Sequence, residues 1–231
     1  MRITLISDTH TKHKVLTSFL PGGDLLIHAG DFTSVGHSHE VQNFCKWFNS
    51  VENYDNKIFI PGNHDLSFEG HYLPDVMKIV NSYEWINLLI DQNITLNYLE
   101  KDGQINIYGS PWQPEFCNWA FNLPRNGVEL EAKWAAIPDN TDILITHGPP
   151  HGIGDVIIGG IDHLGCELLA ERISIIKPKI HIFGHIHSGH GYIFDGDTHF
   201  FNASTLDERY IYKYKPITFD WDPETNEIEF I

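Results

Sequence analysis

Short apolar runs of strand length recur along this chain, and five of them end in side chains that can bind a metal ion. The run Ile3–Ile6 leads into Ser7-Asp8-Thr9-His10, and Ile180–Phe183 leads into Gly184-His185-Ile186-His187. The other three runs are Leu25–Ala29, followed by Gly30-Asp31, Ile58–Ile60, followed by Pro61-Gly62-Asn63-His64-Asp65, and Ile143–Ile145, followed by Thr146-His147. Ligands of open α/β sheets bind outside the carboxyl ends of the strands, so we expect these loops to form one site.

The spacing of the apolar residues also predicts the fold class. Several runs, with Ile105–Tyr108 as a sixth, are continuous rather than alternating, which is typical of strands buried on both faces. Amphipathic stretches at Glu40–Val51, Val128–Ile137 and Cys166–Ile176 predict helices between them. This alternation predicts an α/β fold with a substantial parallel component. A length of 231 residues without a linker predicts a single domain over residues 1–231.

The last third of the sequence has a different character, with closely spaced strand-like pieces separated by turn residues. These pieces predict a mainly antiparallel region. They are Gly191–Asp195, His199–Asn202, Tyr210–Tyr214, Ile217–Asp220 and Glu227–Ile231.

The residues at the run ends have the chemistry and the spacing of metal ligands. In the Asp-x-His motif of residues 8–10 and the His-x-His motif of residues 185–187, the first and third side chains lie on one face of an extended segment. Each pair can therefore bind the same metal ion. The seven candidate ligands are Asp8, His10, Asp31, Asn63, His147, His185 and His187. Seven are too many for one ion and suit two ions that share a carboxylate. Imidazole and oxygen ligands without thiolate favour manganese, iron or zinc.

The ordered motifs resemble those of the calcineurin-like metallophosphoesterase superfamily. Within it, four segments are similar to the metallophosphoesterase-domain-containing (MPPED, or UPF0046) phosphodiesterases. They are Gly109-Ser-Pro-Trp-Gln-Pro, Trp119-Ala-Phe-Asn-Leu-Pro-Arg125, Thr146-His-Gly-Pro-Pro150 and Lys177-Pro-Lys-Ile-His-Ile-Phe-Gly-His-Ile-His187. The resemblance implies a four-layer α/β/β/α sandwich of two mixed sheets flanked by helices. It also implies a phosphodiesterase that hydrolyses a small phosphodiester, such as a cyclic nucleotide or a nucleotide ester, with two divalent metal ions, manganese first among them.

The resemblance also implies a role for each site residue. One metal would be held by Asp8, His10, Asp31 and His187, and the other by Asp31, Asn63, His147 and His185, with Asp31 bridging. His64 would be the catalytic residue that binds no metal, with Asp65 beside it as a candidate to orient its ring. Two ions roughly 3.5–4 Å apart would hold a bridging hydroxide for in-line attack, while His64 assists the leaving oxygen. No second acidic residue follows Asp31 directly, which argues against a protein serine/threonine phosphatase.

Two loop-rich segments, 109–126 and 147–165, are candidates for the walls of a substrate pocket. Trp112 and its aromatic neighbours could stack on a nucleobase, but packing in the core or against a subunit fits them at least as well. Arg125 is a candidate phosphate clamp, and His151 a candidate pocket residue. The pair His37-Ser-His39 imitates a metal motif, although Ser38 is also placed to cap a helix.

Composition restricts the class of function. Fifteen basic against 31 acidic side chains give a formal charge of −16, which argues against binding of long nucleic acids and of anionic membranes. Three widely spaced cysteines, and no apolar segment of membrane-spanning length, predict a reducing, cytoplasmic setting. A nuclease of the same superfamily and a weakly active binding protein that keeps the fold are the alternative functions. The sequence is compatible both with a monomer and with a homodimer that forms through exposed aromatic residues.

Overall fold

The computed structural model describes residues 1–98 and 103–231, and within them β-strands form two large sheets. The strands, in chain order, are β1 (Arg2–Ile6), β2 (Gly23–His28), β3 (Tyr54–Phe59), β4 (Asn87–Leu88), β5 (Gln92–Tyr98), β6 (Gly103–Ser110), β7 (Gln113–Pro114), β8 (Asn122–Leu123), β9 (Ile143–Thr146), β10 (Ile180–Phe183), β11 (Gly191–Phe194), β12 (His199–Asn202), β13 (Ile217–Asp222) and β14 (Glu227–Phe230). Strands β7 and β8 form a small separate pair.

The first sheet has the order β14-β13-β1-β2-β3-β4, and the second has the order β11-β12-β10-β9-β6-β5. In the first sheet β1 to β4 are parallel and β13 and β14 are antiparallel to their neighbours. In the second sheet β6, β9, β10 and β12 are parallel, with β5 and β11 as antiparallel edges. Both sheets are therefore mixed.

Four α-helices cover the outer faces of the sheets in the described residues: α1 (Ser38–Ser50), α2 (Leu73–Val80), α3 (Val128–Ala135) and α4 (Glu167–Ile176). Short 3₁₀ turns lie at His13–Phe19, Leu66–Phe68, Gly70–Tyr72 and His187–Gly189. Apolar side chains of α1 and α2 pack on one face of the first sheet, and those of α3 and α4 on one face of the second. The inner faces of the two sheets pack on each other. The fold is thus the α/β/β/α sandwich that the family resemblance implies, and it confirms the α/β class predicted from the apolar runs.

Burial alternates along each strand in the way that this arrangement requires. In β1, Ile3 and Leu5 face the core between the sheets, whereas Ile6 packs under the helices. Both kinds of position are fully buried. This is why the runs read as continuously apolar in the sequence.

The last third is mainly antiparallel, as predicted: β11 pairs with β12, β13 with β1 and β14 with β13 in antiparallel fashion, while β12 pairs in parallel with β10. One prediction for this region is wrong. Residues Tyr210–Tyr214 form no strand: a single bridge joins Leu206 to Tyr212. Instead, the carboxylate of Asp207 accepts the N–H of Ile211 at 2.9 Å and fixes a turn.

The pair His37 and His39 marks the start of α1. The helix begins at Ser38, so the N-cap is His37 and not Ser38 as predicted. The side chain of Glu40 accepts the N–H of His37 at 3.0 Å. The two imidazole rings are stacked 5.5 Å apart.

None of the helices in the described ranges is both long enough and apolar enough to cross a membrane.

Candidate metal centre

The predicted ligands lie at one edge of the molecule, where the carboxyl ends of β1, β2 and β3 meet those of β9 and β10. Four of the ligand residues have a positive φ, which side chains other than glycine rarely adopt. The values are 53° for Asp8, 37° for His10, 58° for Asp31 and 65° for His185. These turns redirect the side chains from the strand ends toward a common point.

The first ligand group is formed by Asp8, His10, Asp31 and His187. Nε2 of His187 lies 3.4 Å from Oδ1 of Asp8, and Nε2 of His10 lies 3.7 Å from Oδ2 of Asp31. Asp8 is fully buried and accepts the backbone N–H of His185 at 3.1 Å and the hydroxyl of Ser204 at 2.8 Å.

The second ligand group is formed by Asp31, Asn63, His147 and His185. Oδ1 of Asn63 lies 2.9 Å from both Nε2 of His147 and Nδ1 of His185. Nε2 of His147 lies 3.4 Å from Oδ2 of Asp31. The same oxygen of Asp31 therefore faces a histidine of each group, which is the position that a bridging carboxylate requires.

Glycine is required at position 184 because the backbone there approaches the first ligand group closely. A Cβ atom on Gly184 would collide with the carboxylate of Asp8 and the hydroxyl of Ser7. The turn between β10 and the 185–187 motif can therefore reach its place only without a side chain.

Backbone carbonyls set the tautomers of the site histidines. Nδ1 of His10 lies 3.1 Å from the carbonyl of Thr33, and that of His147 lies 2.9 Å from the carbonyl of Ala29. Nδ1 of His187 lies 2.9 Å from the carbonyl of Asp207 in the same way. A carbonyl can only accept, so each Nδ1 carries the proton, and in the neutral ring Nε2 presents its lone pair to the site.

Two of these histidines are drawn toward the charged form by the buried carboxylates. Burial opposes a charge on His147, but Asp31 overrides it and raises the pKa of His147 to about 9. Burial likewise opposes a charge on His187, and the hydrogen bond with Asp8 raises its pKa to about 9. In return, the pKa values of Asp8 and Asp31 lie below the ordinary range despite burial.

The residues present fit a metal centre. Nε2 of His10 is buried and has no hydrogen-bond partner, which is costly unless a ligand takes up its lone pair. Burial lowers the pKa values of His10 and His185 to about 4, so both rings are neutral and able to bind a cation. The ligand atoms of Asp8, His10 and His187 lie within 4.8 Å of one another, as do those of Asp8, Asp31 and His147.

The imidazole of His64 lies against the first ligand group, edge-on to the ring of His10 with centroids 4.6 Å apart. Its ring stacks on Trp119 with centroids 4.0 Å apart, and its Nδ1 donates to the carbonyl of Ser34 at 2.8 Å. Its Nε2 is thereby left for another partner. The imidazole also comes within the same 4.8 Å range as His10 and Asp31.

Asp65 does not orient the ring of His64, contrary to expectation, because its carboxylate is already filled by other donors. Oδ2 accepts the N–H groups of Asp31 at 3.0 Å and Gly62 at 2.8 Å. Oδ1 accepts the N–H of Thr33 at 2.9 Å and its hydroxyl at 2.6 Å. Burial and the charge of Asp31 raise the pKa of Asp65 to about 7. Asp65 therefore ties the loop after β2 to the loop after β3.

A cavity of about 440 Å³ opens beside the two ligand groups, and the three predicted substrate residues relate to it differently. Arg125 lines it. Trp112 packs against the apolar clusters beneath both helix pairs and donates its indole N–H to Asp91 at 2.8 Å, outside the cavity lining. His151 lies outside that lining too, with its ring 5.1 Å from the ring of His163.

Tyr210 is a site residue that the sequence analysis missed. It lines the cavity, and its ring meets those of His10 and His187 edge-on at 4.7 and 5.6 Å. Its φ of 58° comes from the turn that Asp207 fixes. A tyrosine within a segment read as a strand gave no signal of this position.

The chain is similar in sequence to known proteins over most of its length. A family model described as calcineurin-like phosphoesterase matches residues 1–189. The chain is 42% identical over 233 residues to metallophosphoesterase domain-containing protein 1 of Homo sapiens, covering 95% of this chain and 70% of that protein. It is 39% identical over 241 residues to a UPF0046 protein of Caenorhabditis elegans, covering 95% and 60%.

Among solved structures, TT1561 of Thermus thermophilus is similar in fold, with a TM-score of 0.66 at 15% identity. The superposition covers 99% of this chain and 97% of that chain.

Proposed function

Because this chain belongs to the calcineurin-like phosphoesterase family, we propose that it is a metal-dependent phosphodiesterase acting on small phosphodiesters. Hydrolysis of phosphoric esters is the activity of the family. The cleavage of diesters, a centre of two ions and a preference for manganese make up the finer part of the proposal.

The observation that carries the proposal is the position of Asp31 between two sets of ligands. Its Oδ2 faces Nε2 of His10 on one side and Nε2 of His147 on the other, at 3.7 and 3.4 Å. Carboxylate, amide and imidazole ligands suit manganese, iron and zinc. Two divalent ions, when bound, supply Lewis-acid charge for the phosphoryl oxygens and a water of lowered pKa.

The chain itself supplies the proton donor. His64 is clamped between Trp119 and the carbonyl of Ser34, so its ring plane is fixed while Nε2 is free to hold a proton. A positioned histidine of this kind contributes roughly 10²–10⁴-fold to rate by protonating the leaving oxygen. The backbone N–H of His64 donates to Oδ1 of Asp31 at 2.8 Å, which keeps the donor and the bridging carboxylate in register.

The size of the cavity supports a small substrate. A volume of about 440 Å³ lies in the range of sites for small molecules, and cyclic nucleotides and nucleotide esters belong to this size class. A formal charge of −16 opposes the approach of a long polyanion, so a nuclease is the less favoured enzyme. A binding protein without turnover has no need for seven candidate ligands with a further histidine, His64, positioned beside them.

A reducing, cytoplasmic setting forms a further part of the proposal. Cys45, Cys117 and Cys166 all carry free thiols, and two of them are buried. Cell fractionation with a tagged chain tests this, and recovery in a secreted fraction would contradict it.

The experiment that tests the proposed function compares four proteins for bound metal and for manganese-stimulated hydrolysis of bis(p-nitrophenyl) phosphate. Wild type is expected to bind metal and turn over, and Asp31→Asn to lose both. His64→Ala is expected to keep the metal and to lose roughly 100-fold or more in kcat. Asp55→Asn, an exposed aspartate on β3, is the matched control and should behave as wild type. No hydrolysis by wild type, or full activity in Asp31→Asn, would refute the proposal.

A further inference from the structure

The cavity beside the ligand groups has an apolar wall that begins at the metal centre. Phe116, Ile157 and Leu164 line it, and they are 51%, 47% and 40% exposed although all three are large and apolar. The ring of Phe116 stands edge-on to the ring of His185, with centroids 5.6 Å apart. A phosphodiester held at the ligand groups therefore has apolar surface directly next to one of its ester arms.

The apolar wall continues along the loop 152–165, whose two ends are held together by hydrogen bonds to Asp155. The buried carboxylate of Asp155 accepts the N–H groups of Gly152 at 2.9 Å and Gly165 at 3.1 Å, and bonds to His163 at 2.7 Å. The loop 152–165 is thus pinned near its two ends. Beyond the cavity it presents Ile158 and Ile161 with 68% and 89% exposure.

The charges around the cavity are the second observation. Of the described residues that line it, Arg125 has the only guanidinium, and its charge is paired with the carboxylate of Glu167 at 2.7 Å. Nη1 donates to Glu167 and to the carbonyl of Gly165, and Nη2 donates to the carbonyl of Leu164, each at 2.7 Å.

Two carboxylates, those of Glu115 and Glu208, line the same cavity. Arg125 anchors the loop through Gly165 and Leu164, and no lysine is among the described lining residues. Beyond the metal centre and His64, a second anionic group would therefore meet two carboxylates, while the guanidinium of Arg125 is already paired with Glu167.

We propose that the cavity selects phosphodiesters in which a single anionic phosphoryl group carries an uncharged, largely apolar arm, seated along Phe116, Ile157 and Leu164. The inference rests on the proposed function, because it takes the phosphoryl group to lie at the ligand groups. Burial of the arm gains free energy in proportion to its apolar area. An arm that ends in a carboxylate or a phosphate loses this gain in free energy, because its charge must be desolvated and is repelled by Glu115 and Glu208.

The test uses three phosphonate monoesters that the enzyme cannot cleave at the P–C bond, as competitive inhibitors of bis(p-nitrophenyl) phosphate hydrolysis. Methyl methylphosphonate is the reference, methyl hexylphosphonate adds an apolar arm, and the methyl ester of carboxypentylphosphonate adds an arm of equal length with a terminal carboxylate. The hexyl compound is expected to bind about tenfold or more tightly than the reference, and at least about tenfold more tightly than the carboxypentyl compound.

Variants test whether the apolar wall causes the difference in binding between the hexyl and methyl compounds. Phe116→Ser and Ile157→Ser are expected to reduce the hexyl-to-methyl ratio several-fold, whereas Ile175→Ser, an exposed isoleucine of α4 outside the cavity, should keep it. Replacing both Glu115 and Glu208 by glutamine should improve binding of the carboxypentyl compound. Equal binding of the hexyl and carboxypentyl compounds by wild type, or an unchanged ratio in both wall variants, overturns the inference. Absence of bis(p-nitrophenyl) phosphate hydrolysis would instead refute the proposed function.

Discussion

At the scale of single residues, the site is defined by which nitrogen of each histidine faces it. His10, His147 and His187 each place Nδ1 on a backbone carbonyl and leave Nε2 toward Asp8 or Asp31. Rings held in this way need no reorientation when a cation binds, so ordering costs little free energy at that moment.

The pKa values of His147 and His187 lead to a prediction for the effect of pH. Both are raised to about 9 in the metal-free protein, so both rings carry a proton at neutral pH and must lose it before Nε2 can bind a cation. Metal affinity should therefore rise with pH by about tenfold per pH unit for each proton released, and level off above the raised pKa values. Calorimetry of manganese binding in buffers of different ionisation enthalpy measures the proton count.

Release of about two protons near neutral pH is expected from these two histidines. An affinity that does not change with pH, together with no proton release, would show that the two rings are already neutral. His39, an exposed histidine outside the site, serves as the control: His39→Ala should leave the proton count unchanged.

The sequence predicted that the candidate ligands would lie together because each follows a strand, and strand ends of neighbouring parallel strands lie together. It could not predict the carbonyl partners of the histidines, since every residue has a carbonyl and none leaves a signal. Tyr210 was missed for a related reason: its place depends on a turn that brings residue 207 to His187 across the molecule.

At the scale of the elements, Asp65 holds together the loops that follow β2 and β3. Its two oxygens accept four hydrogen bonds from Asp31, Gly62 and Thr33. One buried side chain thus sets the distance between Asp31 and the segment that contains Asn63.

Asp65→Asn tests this structural role. The amide has one acceptor oxygen, so its NH₂ group would face buried N–H donors that then lack a partner. We expect the free energy of unfolding to fall by about 2–4 kcal/mol, measured by urea denaturation in the presence of a chelator. Asp55→Asn, on the exposed part of β3, should change it by less than about 0.5 kcal/mol. An equally small change in Asp65→Asn would contradict the role.

The elements that the sequence predicted well are those with a strong apolar period. Strands β1, β2, β6 and β10 and helix α4 lie where the runs indicated them. The wrong assignment at Tyr210–Tyr214 shows the limit, because the aromatic alternation there reflects packing of a turn against the site and not strand pairing. The parallel partner of β12 depends on the order of strands in the sheet, which no local pattern encodes.

At the scale of the whole molecule, the site exists because two sheets end at one edge. The first sheet contributes Asp8, Asp31 and Asn63, and the second contributes His147 and the segment 185–187. Two divalent cations at this edge would change the formal charge from −16 to about −12 and concentrate positive charge where an anionic substrate must bind. An acidic protein can in this way select a small anion while it repels a long one.

We propose that the seven candidate ligands hold two ions that share Asp31. Anomalous diffraction from crystals of the manganese-loaded protein measures this directly. We expect two peaks, one among Asp8, His10, Asp31 and His187 and the other among Asp31, Asn63, His147 and His185. A single peak, or two peaks without contact to Asp31, would contradict it.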